Sequence, residues 1–355
     1  MRTPRENLLS LLRRQGFDHA AVQFSLCPSQ VARFHEKYGK EADYQAVFGF
    51  PWRWLRQSFQ KAARSDWSEF FPGKTFNPGT VFDSYGVGHE PTPESMHMSR
   101  MHHPMENFTS LEEFQRYPYP EFDPSQLEPA REEARKLHAE GLAAGGALGS
   151  PIWETGWYMR GMENLMMDLI SEEPSAVYHL DRLTELTCRR AEAFAEAGCD
   201  LVYYGEDIGM QQTTMFSLEQ YRSWLKPRLT AVCRAAKKVK PDLIVAYHSC
   251  GFVTPFIDDL IEAGIDVLNP VQPECMDFAE IHEKYGDRLS FWGTIGTQST
   301  MPFGTPAEVR AAVLRNLGIA GKKGGLLCAP THLIEPEVPW ENIEAYTAAV
   351  QEFAP

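Results

Sequence analysis

The chain has 355 residues, 43% of them hydrophobic and 23% charged, with a formal net charge of −14. That composition supports a large buried core and argues against disorder, while so acidic a surface argues against nucleic acid or an anionic membrane as partner. No apolar run is long enough to cross a bilayer, the start Met1-Arg2-Thr3-Pro4-Arg5-Glu6 lacks the apolar core of a signal peptide, and the seven cysteines are scattered singly; together these predict a cytoplasmic protein with reduced thiols or metal-ligating cysteines.

In chain order, residues 7–15 read as a helix and 20–25 as a buried strand. The aromatic stretch 45–67 reads as a flap or lid, and 81–86 as a second strand running into a turn. From residue 145 the pattern becomes regular. Strands are expected over 147–151, 200–204, 243–248, 267–271, 289–293 and 325–330. Helices are expected between them, over 163–170, 174–197, 218–239, 253–263, 278–285 and 306–317, with a last one from 340 toward 353. Counting 20–25 and the Asp83 segment gives eight strands. Strand–helix alternation predicts a parallel sheet, and eight units predict a (β/α)8 TIM barrel. No polar linker divides the chain. It therefore reads as one barrel domain over 1–355, with 1–145 an elaborated N-terminal region and 146–355 the regular units.

A barrel places its chemistry at the C-terminal ends of its strands. His248-Ser249-Cys250 is the sharpest feature there. Alternate strand residues share a face, so imidazole and thiolate can reach one ion, and that pair suits Zn2+. Cys328, at the end of the last strand, is a candidate third ligand, which would leave one position open for catalysis. The plainer reading makes His248 a polar core residue and Cys250 a small buried hydrophobe.

Glu206 and Asp207 follow the strand that ends at Tyr204, and are candidates for general acid, base, metal ligand or substrate anchor, or for capping the next turn. Glu154 lies near Trp153, Trp157 and Tyr158, and reads either as a buried acid in an aromatic pocket or as a loop residue. Asp83, His332 and Glu335 are polar strand-end residues of the same kind. Tyr204, Asn269 and Gln272 are candidate substrate contacts with Asp83, Trp157 and Tyr158. His102-His103, in a loop with Met96, Met98, Met101 and Met105, reads as a surface loop sooner than a metal pair. Trp52, Trp54, Phe59, Trp67, Phe70 and Phe71 either stack on a flat ligand or pack a lid. No dinucleotide, P-loop or GxSxG motif stands in a supporting context.

Several stretches resemble the uroporphyrinogen decarboxylase superfamily. They are Tyr247-His248-Ser249-Cys250-Gly251, Asp266-Val267-Leu268-Asn269-Pro270-Val271-Gln272-Pro273, Phe291-Trp292-Gly293-Thr294-Ile295-Gly296-Thr297-Gln298 and Val338-Pro339-Trp340-Glu341-Asn342-Ile343. Arg5-Glu6-Asn7, Asp18-His19-Ala20-Ala21-Val22 and Arg160-Gly161-Met162-Glu163-Asn164 fit as well. The resemblance implies one of two chemistries: decarboxylation of a tetrapyrrole, or methyl transfer to or from a corrinoid protein, with zinc held by a His-x-Cys and a later Cys. Decarboxylases carry an arginine-rich signature after the first strand. Here that segment is Gln23-Phe24-Ser25-Leu26-Cys27-Pro28-Ser29-Gln30, without arginine, which leaves a substrate of many carboxylates unpaired. His248 and Cys250 match the methyltransferase pair. The family's distal cysteine falls on His332 when Pro339 and Asn342 are aligned, with Cys328 four residues earlier, so either residue completes the set.

The expected function is therefore a zinc-dependent methyltransferase. It would move a methyl group between a small O- or N-methylated substrate, or a thiol acceptor, and cobalamin carried by a separate corrinoid-binding protein. Glu154, Glu206 or Asp207 would supply a fourth ligand or the proton, with His332 an acid/base alternative. The sequence is also compatible with a homo-oligomer. Two other readings are a metal-free decarboxylase or lyase acting through Asp83, Asp207 and His332, and a non-enzymatic module that binds a corrinoid or tetrapyrrole.

Overall fold

A computed structural model describes residues 2–92 and 99–355. Met96 and Met98 of the methionine-rich loop lie outside the described residues. Seven strands form one parallel sheet: β1 (Trp52–Trp54), β2 (Ala143–Gly149), β3 (Leu201–Gly205), β4 (Ile244–His248), β5 (Val267–Asn269), β6 (Ser290–Ile295) and β7 (Leu326–Pro330). Each pairs with its neighbour in sequence, in the order β1 to β7. The sheet curls until its distant members meet: Trp52 of β1 lies edge-on to Trp292 of β6, with ring centroids 5.3 Å apart. The architecture is a TIM-like α/β barrel.

The strand at 20–25 is extended but makes no ladder. Leu26 forms a single parallel bridge with Ile334 beyond β7. The Tyr346 hydroxyl donates to the carbonyls of Gln23 and Cys328, and Phe24 packs edge-on against Phe50 just before β1. This segment thus runs from β7 toward β1 in place of a regular eighth strand. The expected strand at 81–86 is not part of the barrel. Val81–Phe82 pairs antiparallel with Gly88–Pro91, which pairs with Ser99–His102, as an accessory sheet. The barrel instead takes Trp52–Trp54, from the stretch expected to be a lid.

Amphipathic helices pack outside: α1 (Trp153–Arg160), α2 (Pro174–Ala197), α3 (Lys226–Val239), α4 (Phe278–Tyr285), α5 (Pro306–Ala320) and α6 (Trp340–Glu352). The helix expected over 218–239 is broken at Leu225 into Leu218–Trp224 and α3, because Pro227 begins a new first turn. Strand β2 starts four residues before its expected place, since Gly145 and Gly146 dilute its apolar signal. Both glycines are needed. A β-carbon on Gly145 would stand 2.6 Å from the Trp54 ring inside the barrel, and one on Gly146 would stand 2.5 Å from Phe194 of α2 outside it. Among the described residues, no helix is long and apolar enough to cross a membrane.

Candidate metal centre and cavity

A cavity of about 350 Å³ opens at the C-terminal ends of the strands. Its walls include Trp54, Tyr203, His248, Asn269, Trp292 and His332. Beside it, ligand atoms of Asp207, His248 and Cys250 all lie within 4.8 Å of one another. The Cys250 Sγ is 3.4 Å from His248 Nε2, and Asp207 Oδ1 is 3.6 Å from the same nitrogen.

The direction in which His248 presents its lone pair is fixed by Asn269. The Asn269 amide nitrogen donates to the Trp292 carbonyl at 2.7 Å, so its oxygen must face His248 Nδ1. Nδ1 then carries the hydrogen and Nε2 turns its lone pair toward Cys250 and Asp207, the arrangement that orients a metal-binding imidazole. Asp207 is held in turn: its Oδ1 accepts from the Cys250 backbone N–H at 2.8 Å. The Ser249 hydroxyl accepts from the N–H of Ile208 at 3.0 Å, and Phe252 N–H donates to the Met210 carbonyl at 2.8 Å. The loops after β3 and β4 are thereby zipped together. Gly209 and Gly251 permit it, since a β-carbon on either would stand 2.6 Å from a carbonyl oxygen of the other loop. Gln272 closes the arrangement by accepting from Gly251 N–H at 3.0 Å.

Glu154 sits behind this cluster. Its Oε1 accepts from the Asp207 N–H at 3.2 Å and its Oε2 from the Tyr158 hydroxyl at 3.2 Å. Burial first, then the charge of Asp207, pushes the Glu154 carboxyl above its usual range. Burial, then Asp207 and Glu154, also pushes the Cys250 thiol up. A cation bound among these groups would act in the opposite sense.

The sequence-based site is therefore assembled only in part. His248, Cys250, Asp207, Asn269 and His332 come together, with the His332 ring 6.5 Å from that of His248. Cys328 does not join them. It pairs in register with Gly293, one place off from the cavity-lining Trp292, so its side chain takes the outer face of β7. There its Sγ lies 3.9 Å from the Thr294 hydroxyl, itself bonded to Asn316 of α5. Glu206 is not at the cavity either. Its carboxylate is buried and accepts the N–H groups of Ile152, Trp153 and Glu154 at 2.6–2.9 Å, which caps the start of α1.

Asp83 accepts from the N–H groups of Tyr85 and Val87 and builds a turn in the accessory sheet. Tyr204 faces outward and stacks on Tyr247, while Tyr203 lines the cavity instead. Trp157 packs edge-on against Tyr158, and neither forms the cavity wall. Gln272 acts on the Cys250 loop from behind rather than as a wall residue. Of the N-terminal aromatics expected as a group, Trp54 alone is a wall residue. Phe59 packs on Phe194, and Trp67, Phe70 and Phe71 build the accessory core. His102 pairs with buried Glu90, and His103 donates to the Tyr158 carbonyl, so the two rings serve different partners.

Wall residues not singled out from sequence include Gln23, Ser25, Tyr203 and Trp292. The Gln23 side chain accepts from the Trp292 indole N–H at 2.7 Å. Period-two alternation from His248 or Asn269 through the barrel register is the signal that could have found Tyr203 and Trp292.

The chain is similar over almost its whole length to a methyltransferase from Methanosarcina mazei, with a TM-score of 0.68, 18% identity and 99% of each chain covered. It is 26% identical over 186 residues to a uroporphyrinogen decarboxylase of Thermus thermophilus, covering 50% of each chain. It is 24% identical over 216 residues to one of Coxiella burnetii, covering 59% of this chain and 57% of that one. The chain thus spans about half the length of the curated relatives it matches. The sequence profile of uroporphyrinogen decarboxylase (URO-D) matches residues 92–353, and the chain belongs to that family.

Proposed function

We propose that this protein is a metal-dependent methyltransferase that exchanges a methyl group between a small substrate and a corrinoid carried by a partner protein. The observation that carries the reading is the convergence of Asp207, His248 and Cys250 beside the cavity, with the His248 lone pair oriented by Asn269. One imidazole, one thiol and one carboxylate suit zinc, and His332 stands across the cavity as a further donor. Zinc bound there would act as a Lewis acid, holding an acceptor sulfur as thiolate or polarising a methylated heteroatom. Asp207 fixes the Cys250 loop through its N–H. Glu154 supports Asp207 from behind, its Oε1 accepting the Asp207 N–H. Trp54, Tyr203 and Trp292 exclude water from the cavity floor. The shared fold with the Methanosarcina methyltransferase supports the reading.

A tetrapyrrole decarboxylase is the less fitting alternative. Among the described residues lining the cavity there is no lysine or arginine to pair with a substrate of many carboxylates. The test is methyl transfer from free methylcobalamin to a panel of thiols, followed by the loss of the methyl–cobalt absorbance. The wild-type protein with zinc should turn over, and Cys250→Ala should lose at least about a hundredfold in rate. Equal turnover by a zinc-free preparation would overturn the proposal.

A further inference from the structure

The floor of the cavity is made of aromatic faces. Trp54 and Trp292 lie near-parallel, 25° apart in plane, with centroids 6.4 Å apart. Tyr203 meets both at steep angles, 6.0 Å from Trp54 and 5.8 Å from Trp292. Trp54 is seated by Gly145, whose missing side chain makes room for its ring. The Trp292 N–H is occupied by Gln23, so this indole offers a ligand no free hydrogen-bond donor. Tyr203 also stands 5.8 Å from the His248 ring, so a group resting on these faces lies beside the Asp207–His248–Cys250 cluster.

The floor itself carries no cationic side chain of lysine or arginine among the described residues lining the cavity. Asp207 stands beside it, 3.6 Å from His248 Nε2. Arg190 approaches from α2, but its N–H groups reach the carbonyls of Ser58 and Ala147. Aromatic faces carry partial negative charge and attract quaternary ammonium groups, which have no N–H to donate and are weakly hydrated. The aromatic floor offers an anionic group no lysine or arginine to pair with.

We infer that the methylated substrate is a cationic methylammonium compound, its N-methyl group resting on Trp54, Tyr203 and Trp292. The inference rests on the methyl-transfer reading for what happens next. One N–C bond breaks, its electron pair returns to nitrogen as a neutral amine, and the methyl bonds to a nucleophile that supplies the new pair, a thiolate or the reduced cobalt of the corrinoid partner.

The test is binding by calorimetry and tryptophan fluorescence, using tetramethylammonium and choline, the uncharged choline isostere 3,3-dimethyl-1-butanol, and the anion 3,3-dimethylbutanoate. Both cations should bind saturably, choline about tenfold or more tighter than its isostere, with no saturable binding of the anion. Trp54→Leu should weaken choline binding about tenfold, whereas Tyr203→Phe, which keeps the ring, should change it little. Removing metal with a chelator should leave the preference for the cation in place. Equal or tighter binding of the isostere or the anion, or no saturable binding of either cation, would overturn the inference. Cation binding without metal or methyl transfer would sink the enzymatic reading and leave this one standing; the reverse pattern would do the opposite.

Discussion

Between His248 and the Trp292 carbonyl, the amide of Asn269 can be oriented in only one way, and that orientation decides which imidazole nitrogen is free to bind an ion. Asn269→Ala removes the constraint without touching a proposed ligand. Zinc affinity should fall roughly 10–100-fold while the melting temperature changes little, measured by competition with a chromogenic chelator. Glu206 predicts the converse. Its carboxylate caps three backbone N–H groups, so Glu206→Ala should destabilise the protein by ~3 kcal/mol in denaturant titration, leaving those groups buried and unpaired. Adjacent carboxylates, Glu206 and Asp207, thus serve structure and site respectively, and nothing in their sequence distinguishes them. The difference arises because neighbouring residues past a strand point to opposite sides, one toward α1 and one toward the cavity.

At the scale of elements, most of the barrel was legible because its signals are local. Alternating apolar strands and amphipathic helices gave α2 and α4 their observed limits. The site was legible where one strand carries it, as with His248 and Cys250. It was not legible where facing depends on register between strands. Tyr204 is one residue from the cavity-lining Tyr203, and Cys328 is one place off in register from the cavity-lining Trp292, and a period of two makes that slip a change of side. Trp52–Trp54 falls in the stretch 45–67, which reads as a flap or lid because it is rich in aromatics. The place of these tryptophans in β1 depends on Gly145, far downstream in β2. Gly145→Ala tests that dependence. Its β-carbon would collide with the Trp54 ring, so the variant should fold with a displaced indole, seen as a shifted tryptophan emission and at least about tenfold weaker binding of cavity ligands.

Across the whole molecule, ionisable groups that stabilise the fold lie far from the cavity as well as beside it. At the end away from the cavity, just before β3, buried Asp200 accepts from Arg5 at 2.7 and 2.9 Å, from His138 at 2.9 Å and from the Ala144 N–H at 3.1 Å. It ties the N-terminal helix Pro4–Leu12 to the sheet. Burial pushes the Asp200 carboxyl up, but Arg5, Ala144 and Lys240 outweigh it and hold it below its usual range. Its stabilisation is therefore present above the unfolded carboxylate range and is lost as pH falls through the lowered value. Buried His179 acts in the same direction. Burial lowers it from 6.5 to about 4, so the unfolded chain takes up a proton first. Stability should decline as pH drops from 6.5 toward 4, by up to ~3 kcal/mol from this group alone, and His179→Gln should flatten that part of the stability–pH curve.

The shared ion beside the cavity is the claim on which the chemistry depends. Elemental analysis of the purified wild-type protein, beside His248→Ala and Cys250→Ala, tests it most directly. About one zinc per chain is expected in the wild type, with most of it lost in both variants while circular dichroism stays unchanged. A wild-type chain that takes up no zinc from a zinc-supplemented buffer, or variants that retain it at the wild-type level, would contradict the account.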